Sequence, residues 1–301
     1  MTYERSLLLA WTLLASASPA ALAGEWQVAQ MDAIAKAIQS SKPKAVSPAD
    51  VLFGFDPALG LKGQKVTVGY EAAGVNTASN TAADAIDYLG EPRISLVPDP
   101  TDKNRKVLRL KQLPDDPQIA GQPRTELNFY RGRPATSPPR DSWFWRVWQV
   151  YLPNWTPTDA TYIVAQIHST AGRNPPMALA IRSGRYTIDV RSATKVPMTQ
   201  ADQVHRVVRK DLGPAVTGRW TTIVQHVRLD PEGGGLQTWI DGEQVLDYRG
   251  PFGYADGEHY FKQGMYPLDS KVGQEMLLRG PWFVRDSGYE EPQLRAWMAG
   301  R

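Results

Sequence analysis

The stretch Leu236-Gln-Thr-Trp-Ile-Asp-Gly-Glu-Gln-Val-Leu-Asp-Tyr248 contains two short runs of mixed polar and apolar residues joined by Asp241-Gly242. An Asp-Gly pair favours the tight type I′ turn that joins antiparallel strands. The stretch therefore predicts a β-hairpin. Similar short runs, rich in β-branched and aromatic residues, recur from Val51 onward, with Gly and Pro between them at intervals of roughly 8 to 12 residues. This spacing predicts an all-β sandwich.

The run from Ser142 to Tyr151 contains three tryptophans and has large apolar side chains at both odd and even positions. A strand with one face in water would instead alternate between apolar and polar residues. We therefore expect this run to form a central strand that is covered on both faces.

The composition excludes several classes of protein. The chain has 301 residues and no cysteine, so disulfide frameworks, thiolate metal sites and cysteine nucleophiles are excluded. Signature motifs of serine hydrolases, zinc peptidases, dinucleotide-binding proteins and P-loop proteins are also missing from the sequence. The formal net charge of +3 is compatible with a polyanionic partner and gives no indication of nucleic-acid binding.

The first residues have the pattern of an export signal. A charged start at residues 1–5 precedes the apolar run Leu7 to Leu14, and Ala21-Leu22-Ala23 is typical of a cleavage site. We expect a signal peptide over residues 1–23 and export to the periplasm or the medium. The apolar run is shorter than the ~20 residues that span a bilayer, so no membrane partner is expected.

Two further regions are expected after this leader. Apolar residues at helical spacing in an alanine-rich segment predict a short N-terminal helix, within an extension over residues 24–50 that Pro43 and Pro48 interrupt. Residues 51–301 are expected to form the β domain. We expect the protein to be a monomer.

Three separated segments have an unusual set of polar residues on one face. Because side chains alternate along a strand, each segment would project its polar residues together. These residues are Arg124, Glu126, Asn128 and Tyr130 in the first segment, Gln166 and His168 in the second, and Tyr260, Lys262 and Tyr266 in the third. If the three strands are neighbours, they line one groove. The alternative is an ordinary solvent-exposed sheet face, although such a face usually carries Lys, Glu, Thr and Ser.

The same segments resemble a known family. Pro123-Arg-Thr-Glu-Leu127, Gln166-Ile-His168 and Tyr260-Phe-Lys-Gln-Gly-Met-Tyr266 resemble, in this order, the signature strands of jelly-roll polysaccharide lyases of the alginate lyase type. The surrounding sequence, roughly from Leu96 to Val284, is similar to the group that includes heparin lyase I and glucuronan lyase. The chain departs from the alginate lyase pattern at Tyr266-Pro-Leu268.

The resemblance implies a β-jelly-roll sandwich of the concanavalin-like type and cleavage of an anionic uronate polysaccharide by β-elimination across C5 and C4. Glucuronan and mannuronate-rich alginate are the expected substrates. The chemistry needs no cofactor, and relatives can hold a structural calcium ion, for which no ligands can be located in this sequence. The expected catalytic residues are Arg124, Gln166, His168 and Tyr266, and the expected substrate-binding residues are Lys262, Tyr260, Asn128 and Glu126.

The chemistry explains why these residue types are needed. Removing the C5 proton leaves negative charge beside the substrate carboxylate, which Arg124, Gln166 and His168 could stabilise. In glucuronate and mannuronate H5 and O4 lie on the same side of the ring, so Tyr266 could be both base and acid. In guluronate they lie on opposite sides, and His168 would be the base. Glu126 has two open roles, either orienting Arg124 through a bidentate pair or contacting substrate.

Two other functions are possible from the sequence alone. A glycoside hydrolase would need two carboxylates across the scissile bond, and no carboxylate-rich strand is present. A non-catalytic carbohydrate-binding module would not need this set of polar residues.

We expect His205, His226 and His259 to be structural or distant from the reaction. The basic segment from Arg182 to Lys210 is either a wall beside the groove or a solvated pair of strands.

Overall fold

The computed structural model describes residues 44–77, 85–129, 140–172, 174–202, 206–268 and 272–301. The predicted signal peptide and the predicted N-terminal helix lie outside the described residues. Within the described ranges, residues Val46–Arg301 form one compact unit. No helix in these ranges is both long and apolar enough to cross a membrane.

The described residues contain eighteen strands, one α-helix and two short 3-10 helices. The 3-10 helices are Pro48–Asp50 and Pro57–Leu59, and the α-helix α1 is Glu291–Ala299. The strands are β1 (Val51–Gly54), β2 (Val68–Ala72), β3 (Val75–Thr77), β4 (Ala85–Tyr88), β5 (Glu91–Pro98), β6 (Lys106–Gln112), β7 (Thr125–Phe129), β8 (Trp143–Tyr151), β9 (Thr161–Ser169), β10 (Met177–Arg182), β11 (Arg185–Ala193), β12 (Arg206–Pro214), β13 (Trp220–Arg228), β14 (Gly235–Ile240), β15 (Glu243–Arg249), β16 (Gly253–Tyr254), β17 (His259–Leu268) and β18 (Gln274–Arg285).

These strands form two sheets, which confirms the predicted all-β sandwich. The first, here called the back sheet, has the order β15-β14-β13-β8-β18-β6-β5-β4, with β1 also pairing with β18. The second, called the site sheet, has the order β12-β11-β10-β9-β17-β7-β2-β3, with β16 pairing with β11. Half of the neighbouring pairs join strands that are not consecutive in sequence, because the chain crosses repeatedly between the two sheets.

Aromatic side chains from both sheets meet in the core. Phe53 and Phe283 of the back sheet stack with ring centroids 4.2 Å apart, and Phe283 lies 4.1 Å from Phe261 of the site sheet. Such pairs contribute about 0.5–1.5 kcal/mol beyond the burial of their area. This contact joins β17, which carries much of the candidate site, directly to the centre of the sandwich.

Strand β8 is covered on both faces, as predicted. Phe144 and Trp148 point into the core between the sheets, whereas Trp145 and Val147 belong to a second cluster on the outer face of the back sheet. Leu294 and Met298 of α1 cover that outer cluster. The helix begins with a reciprocal capping box between Glu290 and Gln293, which satisfies backbone donors at its first turn.

The predicted hairpin is also confirmed. Strands β14 and β15 are joined by Asp241 and Gly242, whose φ angles are 52° and 91°. Positive φ at both central residues is the requirement of a type I′ turn, which explains why Asp-Gly stands there.

Candidate active site

The three segments with polar faces lie side by side in the site sheet. The order β9-β17-β7-β2 brings the second, third and first segments together, in that order, and adds β2 beyond them. Leu127, Phe129, Ile167 and Phe261 point into the core, so the residues between them project to the opposite side. We call that side the site face. Its register pairs are Tyr260 with His168, Lys262 with Gln166 and Asn128, and Glu126 with Gly264 and Glu71.

Two cations and two carboxylates form a buried cluster on this face. Lys262 Nζ lies 2.7 Å from Glu71 Oε2 and 3.4 Å from Glu126 Oε2. Arg124 Nη1 lies 3.2 Å from Glu71 Oε2 and 3.6 Å from Glu126 Oε2. All four side chains are at most 9% exposed. Each carboxylate therefore faces both cations, and the formal charge of the cluster is zero.

The charges in this cluster support one another. Burial alone would raise the pKa of Glu71, but the charges and hydrogen bonds of Lys262 and Arg124 hold it below its ordinary value. Burial alone would lower the pKa of Lys262, but Glu126 and Glu71 hold it above its ordinary value. Both groups are therefore charged at neutral pH, because each stabilises the charged form of the other.

Sequence reasoning missed Glu71. It is 3% exposed and lies in β2, whose sequence Val-Gly-Tyr-Glu-Ala is buried throughout. A single carboxylate in a buried strand must have a cationic or hydrogen-bonding partner. The isolated Glu in an otherwise apolar run was the available signal, and it should have suggested a partner for Arg124 or Lys262.

The structure corrects one of the two expected roles of Glu126, the bidentate pair with Arg124. Its carboxylate does not form a bidentate pair with Arg124, since its contact with that guanidinium is single and 3.6 Å long. Glu126 instead accepts a hydrogen bond of 2.6 Å from Gln166 Nε2. The residue is 1% exposed, and its expected contact with substrate stays a prediction. Glu126 holds Gln166 and Lys262 in place.

Gly264 allows β17 to approach β7 closely. A Cβ atom at this position would lie 2.3 Å from the carbonyl oxygen of Thr125 and 2.6 Å from Glu126 Cα. The pairing of β17 with β9 shifts register between Gln263 and Tyr266, which marks a bulge at this point. A side chain at position 264 would therefore collide with the backbone of β7.

Tyr266 lies just beyond this bulge and contacts Arg124. The guanidinium carbon is 4.0 Å from the centre of the phenol ring, which is a cation–π contact. The Tyr266 side chain is partly exposed, and Arg124 is buried below it. The structure thus brings together the first and third segments at two of the four residues predicted to be catalytic.

His168 lies on the other side of Lys262, opposite Tyr260. The two rings have centroids 5.1 Å apart, and His168 Nδ1 is 2.9 Å from both the backbone nitrogen and the carbonyl oxygen of Ser169. Burial and the positive charge of Lys262 lower the pKa of His168 to about 4. The imidazole is therefore neutral at neutral pH.

Asn128 completes the polar row. Its Nδ2 donates a hydrogen bond of 3.4 Å to Glu71 Oε1. Its Oδ1 and the Nε of Arg124 are buried and have no hydrogen-bond partner among the described residues.

The two other histidines in the described ranges, His226 and His259, are not part of this cluster. His226 on the back sheet stacks on Trp145 at 4.0 Å and lies 3.0 Å from Asp286. His259 accepts a hydrogen bond from the backbone of Tyr254, and burial lowers its pKa to about 3. His205 lies outside the described residues. The described ranges contain no group of three His, Asp or Glu side chains that could hold a metal ion, so the structural calcium ion stays a prediction without ligands.

Comparison with solved structures identifies the fold class as a β-jelly roll. An alginate lyase from Pseudomonas aeruginosa has 16% identity and a TM-score of 0.50, over 71% of this chain and 97% of that one. A substrate complex of the family 7 alginate lyase A1-II′ has 12% identity and a TM-score of 0.50, over 72% of this chain and 91% of that one. At these identities the likeness concerns the fold.

The family is shown by the sequence itself. Residues 74–278, more than half of the chain, match the family described as Polysaccharide lyase. The chain therefore belongs to the polysaccharide lyase family and is a carbon–oxygen lyase acting on polysaccharides. This membership sets aside the glycoside hydrolase and the non-catalytic binding module. A search of curated proteins finds no match.

Proposed function

We propose that this polysaccharide lyase depolymerises an anionic polyuronate by β-elimination and leaves unsaturated uronate ends, with glucuronan or mannuronate-rich alginate as substrate. The observation that carries the proposal is the contact of Tyr266 with Arg124 at 4.0 Å. This contact places the partly exposed Tyr266, whose hydroxyl can transfer a proton, beside the fixed positive charge of Arg124. A hydrolase would need a pair of carboxylates at this place, and here both nearby carboxylates are buried and paired with cations.

The reaction requires a base, an acid and stabilisation of negative charge. The base removes the proton from C5, the electron pair of that C–H bond forms the C4–C5 double bond, and the C4–O bond breaks. The departing oxygen takes a proton from the acid. Negative charge develops beside the substrate carboxylate during the first step, where a fixed cation lowers the barrier most.

Tyr266 is the proposed proton-transfer residue. When its hydroxyl gives up a proton, the guanidinium of Arg124 against the ring stabilises the charge that remains. For glucuronate and mannuronate, where H5 and O4 lie on one side, the phenolate oxygen of Tyr266 takes the C5 proton. The resulting phenol then gives that proton to O4 as the C4–O bond breaks, which regenerates the phenolate. Tyr266 then ends each turnover in its starting state.

His168 supports this assignment by being neutral. With a pKa of about 4, it adds no positive charge and can form a hydrogen bond to the substrate. In a guluronate polymer, the same neutral imidazole would instead act as the base on the opposite side of the ring, with Tyr266 as the acid. The identity of the polymer therefore decides which of the two residues takes the proton.

The other predicted residues have supporting roles in this proposal. Gln166, held by Glu126, and Arg124, held by Glu71, are oriented before substrate arrives, which reduces the cost of reorganisation in the reaction. Tyr260 and Asn128 contact the sugar, and Lys262 acts mainly through its two carboxylate partners. We further propose that the chemistry needs no cofactor and that the enzyme acts as a monomer in the periplasm or outside the cell.

The test is the ultraviolet absorbance of unsaturated uronate ends released from purified polymers. The panel contains glucuronan, polymannuronate, polyguluronate, heparin and hyaluronan, each treated with the wild type and with Tyr266→Phe. Tyr88→Phe is the matched control, because Tyr88 is also partly exposed and lies 5.7 Å from Arg93, but on the back sheet.

We expect a signal on glucuronan or polymannuronate that Tyr266→Phe abolishes and Tyr88→Phe retains. A wild-type signal restricted to heparin or hyaluronan would contradict the proposed substrate. Full activity in Tyr266→Phe would contradict the proposed mechanism.

A further inference from the structure

The site face continues beyond β9 as two rows of side chains across the strands. Register pairs place Ala178 of β10, Asp189 of β11 and Arg209 of β12 in line with Gln166. Arg191 and Arg206 are paired in the adjacent row, on the His168 side. Ile188, Val190 and Leu212 point into the core, so these polar residues share the site face.

Three arginines surround one carboxylate at the end of these rows. Asp189 lies 2.7 Å from Arg209 Nε, 3.1 Å from Arg191 Nη2 and 3.2 Å from Arg206 Nε. Three guanidinium groups against one carboxylate leave a net charge of +2. The buried cluster around Lys262, in the same sheet, has a net charge of zero. The positive charge of the arginine cluster is not balanced in this way.

The excess positive charge lies at the surface. The side chains of Arg206 and Arg209 are 45% and 58% exposed, whereas those of Arg191 and Asp189 are 8% and 16% exposed. Arg191 is also fixed by a hydrogen bond of 2.9 Å from its Nη1 to the carbonyl of Pro175. A buried arginine and aspartate thus anchor two accessible arginines, which leaves part of their donors free to bind an anion.

The strand between this cluster and the catalytic residues carries small, uncharged side chains on the site face. They are Ala178 and Ala180 of β10, which are buried and pack with Ile163 and Tyr266. Since neighbouring strands lie about 4.8 Å apart, the side chains of β12 stand roughly 14 Å from those of β9. A polymer that extends from Tyr266 across the strands toward β12 would reach the arginines.

We propose that Arg206 and Arg209, anchored by Asp189 and Arg191, form a distal subsite for a carboxylate of the polymer several sugar units from the bond that is cleaved. The inference rests on the proposed function, because it requires a substrate that carries an anionic group on successive sugars. Sulfate esters offer the same kind of ligand, so the test must separate carboxylate from sulfate.

The test compares the wild type with the double variant Arg206→Gln/Arg209→Gln. The matched control is Arg249→Gln, since Arg249 is 57% exposed and ion-paired with Asp247 on the back sheet. Initial rates are measured on the polyuronate that the wild type cleaves and on its shortest cleavable oligomer, at low and high salt. Competition by dextran sulfate, which carries sulfate esters and no carboxylate, tests whether the cluster binds sulfate instead of carboxylate.

We expect KM for the polymer to rise about tenfold in the double variant, the change that corresponds to a lost contact of about 1.4 kcal/mol. The kcat on the polymer and both constants on the short oligomer should stay unchanged. The salt dependence of KM should weaken, because exposed charges are screened by salt. The Arg249→Gln control should match the wild type.

An unchanged KM for the polymer in a folded double variant would overturn the subsite while leaving the proposed function intact. The subsite would also be overturned if the double variant weakened only the competition by dextran sulfate, because the arginines would then bind polyanions in general. Failure of the wild type on every polyuronate would refute the proposed function itself. The two failures are therefore distinguishable.

Discussion

Replacing Glu71 by Gln tests the charge balance of the buried cluster. The substitution keeps the shape of the side chain and removes one negative charge, so the cluster changes from neutral to a net charge of +1. Glu71 contacts Lys262 at 2.7 Å and Arg124 at 3.2 Å, and the three side chains are between 5% and 9% exposed. Lys262 and Arg124 would then share the single carboxylate of Glu126.

The expected cost is about 3–5 kcal/mol in the free energy of unfolding, the range for removing one partner of a buried ion pair. Lys262→Met should cost a similar amount, because it leaves a net charge of −1. The double variant Glu71→Gln/Lys262→Met is neutral again, since Arg124 still faces Glu126 at 3.6 Å. We therefore expect the double variant to be several kcal/mol more stable than the sum of the two single effects predicts.

Urea denaturation of the four proteins measures this coupling. The control is the pair Arg185–Asp211, which has a distance of 2.6 Å but side chains that are 51% and 50% exposed. Its removal should cost at most about 1 kcal/mol. The pKa of Glu71 is lowered by the fold, so its contribution should be present above the ordinary value of 4.5 and be lost as the pH falls through the lowered value. Additive single effects, or a cost no larger than that of the control pair, would refute the argument.

Two further substitutions test the site by other means. Gly264→Ala should lower the thermal midpoint and abolish most activity, because its methyl group would lie 2.3 Å from the carbonyl oxygen of Thr125; an unchanged midpoint would contradict the close approach of the strands. Because the folded state lowers the pKa of His168 from 6.5 to about 4, its contribution to stability should be complete above pH 6.5 and decline as the pH falls toward 4. Stability of His168→Gln should therefore fall less steeply over that window, and identical slopes in variant and wild type would show that His168 is not buried as described.

The alternation of polar and apolar residues along the strands made much of the site predictable. Side chains two residues apart share a face of a strand, so Arg124 with Glu126 and Gln166 with His168 could be grouped without a structure. The resemblance to known lyases added the order of the three segments. The structure confirms that these strands are neighbours in one sheet.

Long-range pairing could not be predicted in the same way. Glu71 is 191 residues from Lys262 in sequence, and no local pattern shows that β2 lies beside β7. The bidentate pair expected between Glu126 and Arg124 was wrong for the same reason, because the partners of Glu126, Gln166 and Lys262, come from other strands. Alternation shows which side chains share a face, whereas the pairing of charges on that face depends on strand order.

The most direct test of the account is the mass of the products released from glucuronan. Elimination adds no water, so each cleavage should produce a new chain end that is lighter by one water molecule than a hydrolytic end, and digestion in ¹⁸O-labelled water should leave the products unlabelled. Tyr266→Phe, folded as judged by its thermal midpoint, should release no such ends. Labelled, hydrated ends from the wild type, or unsaturated ends from Tyr266→Phe at the wild-type rate, would contradict the account.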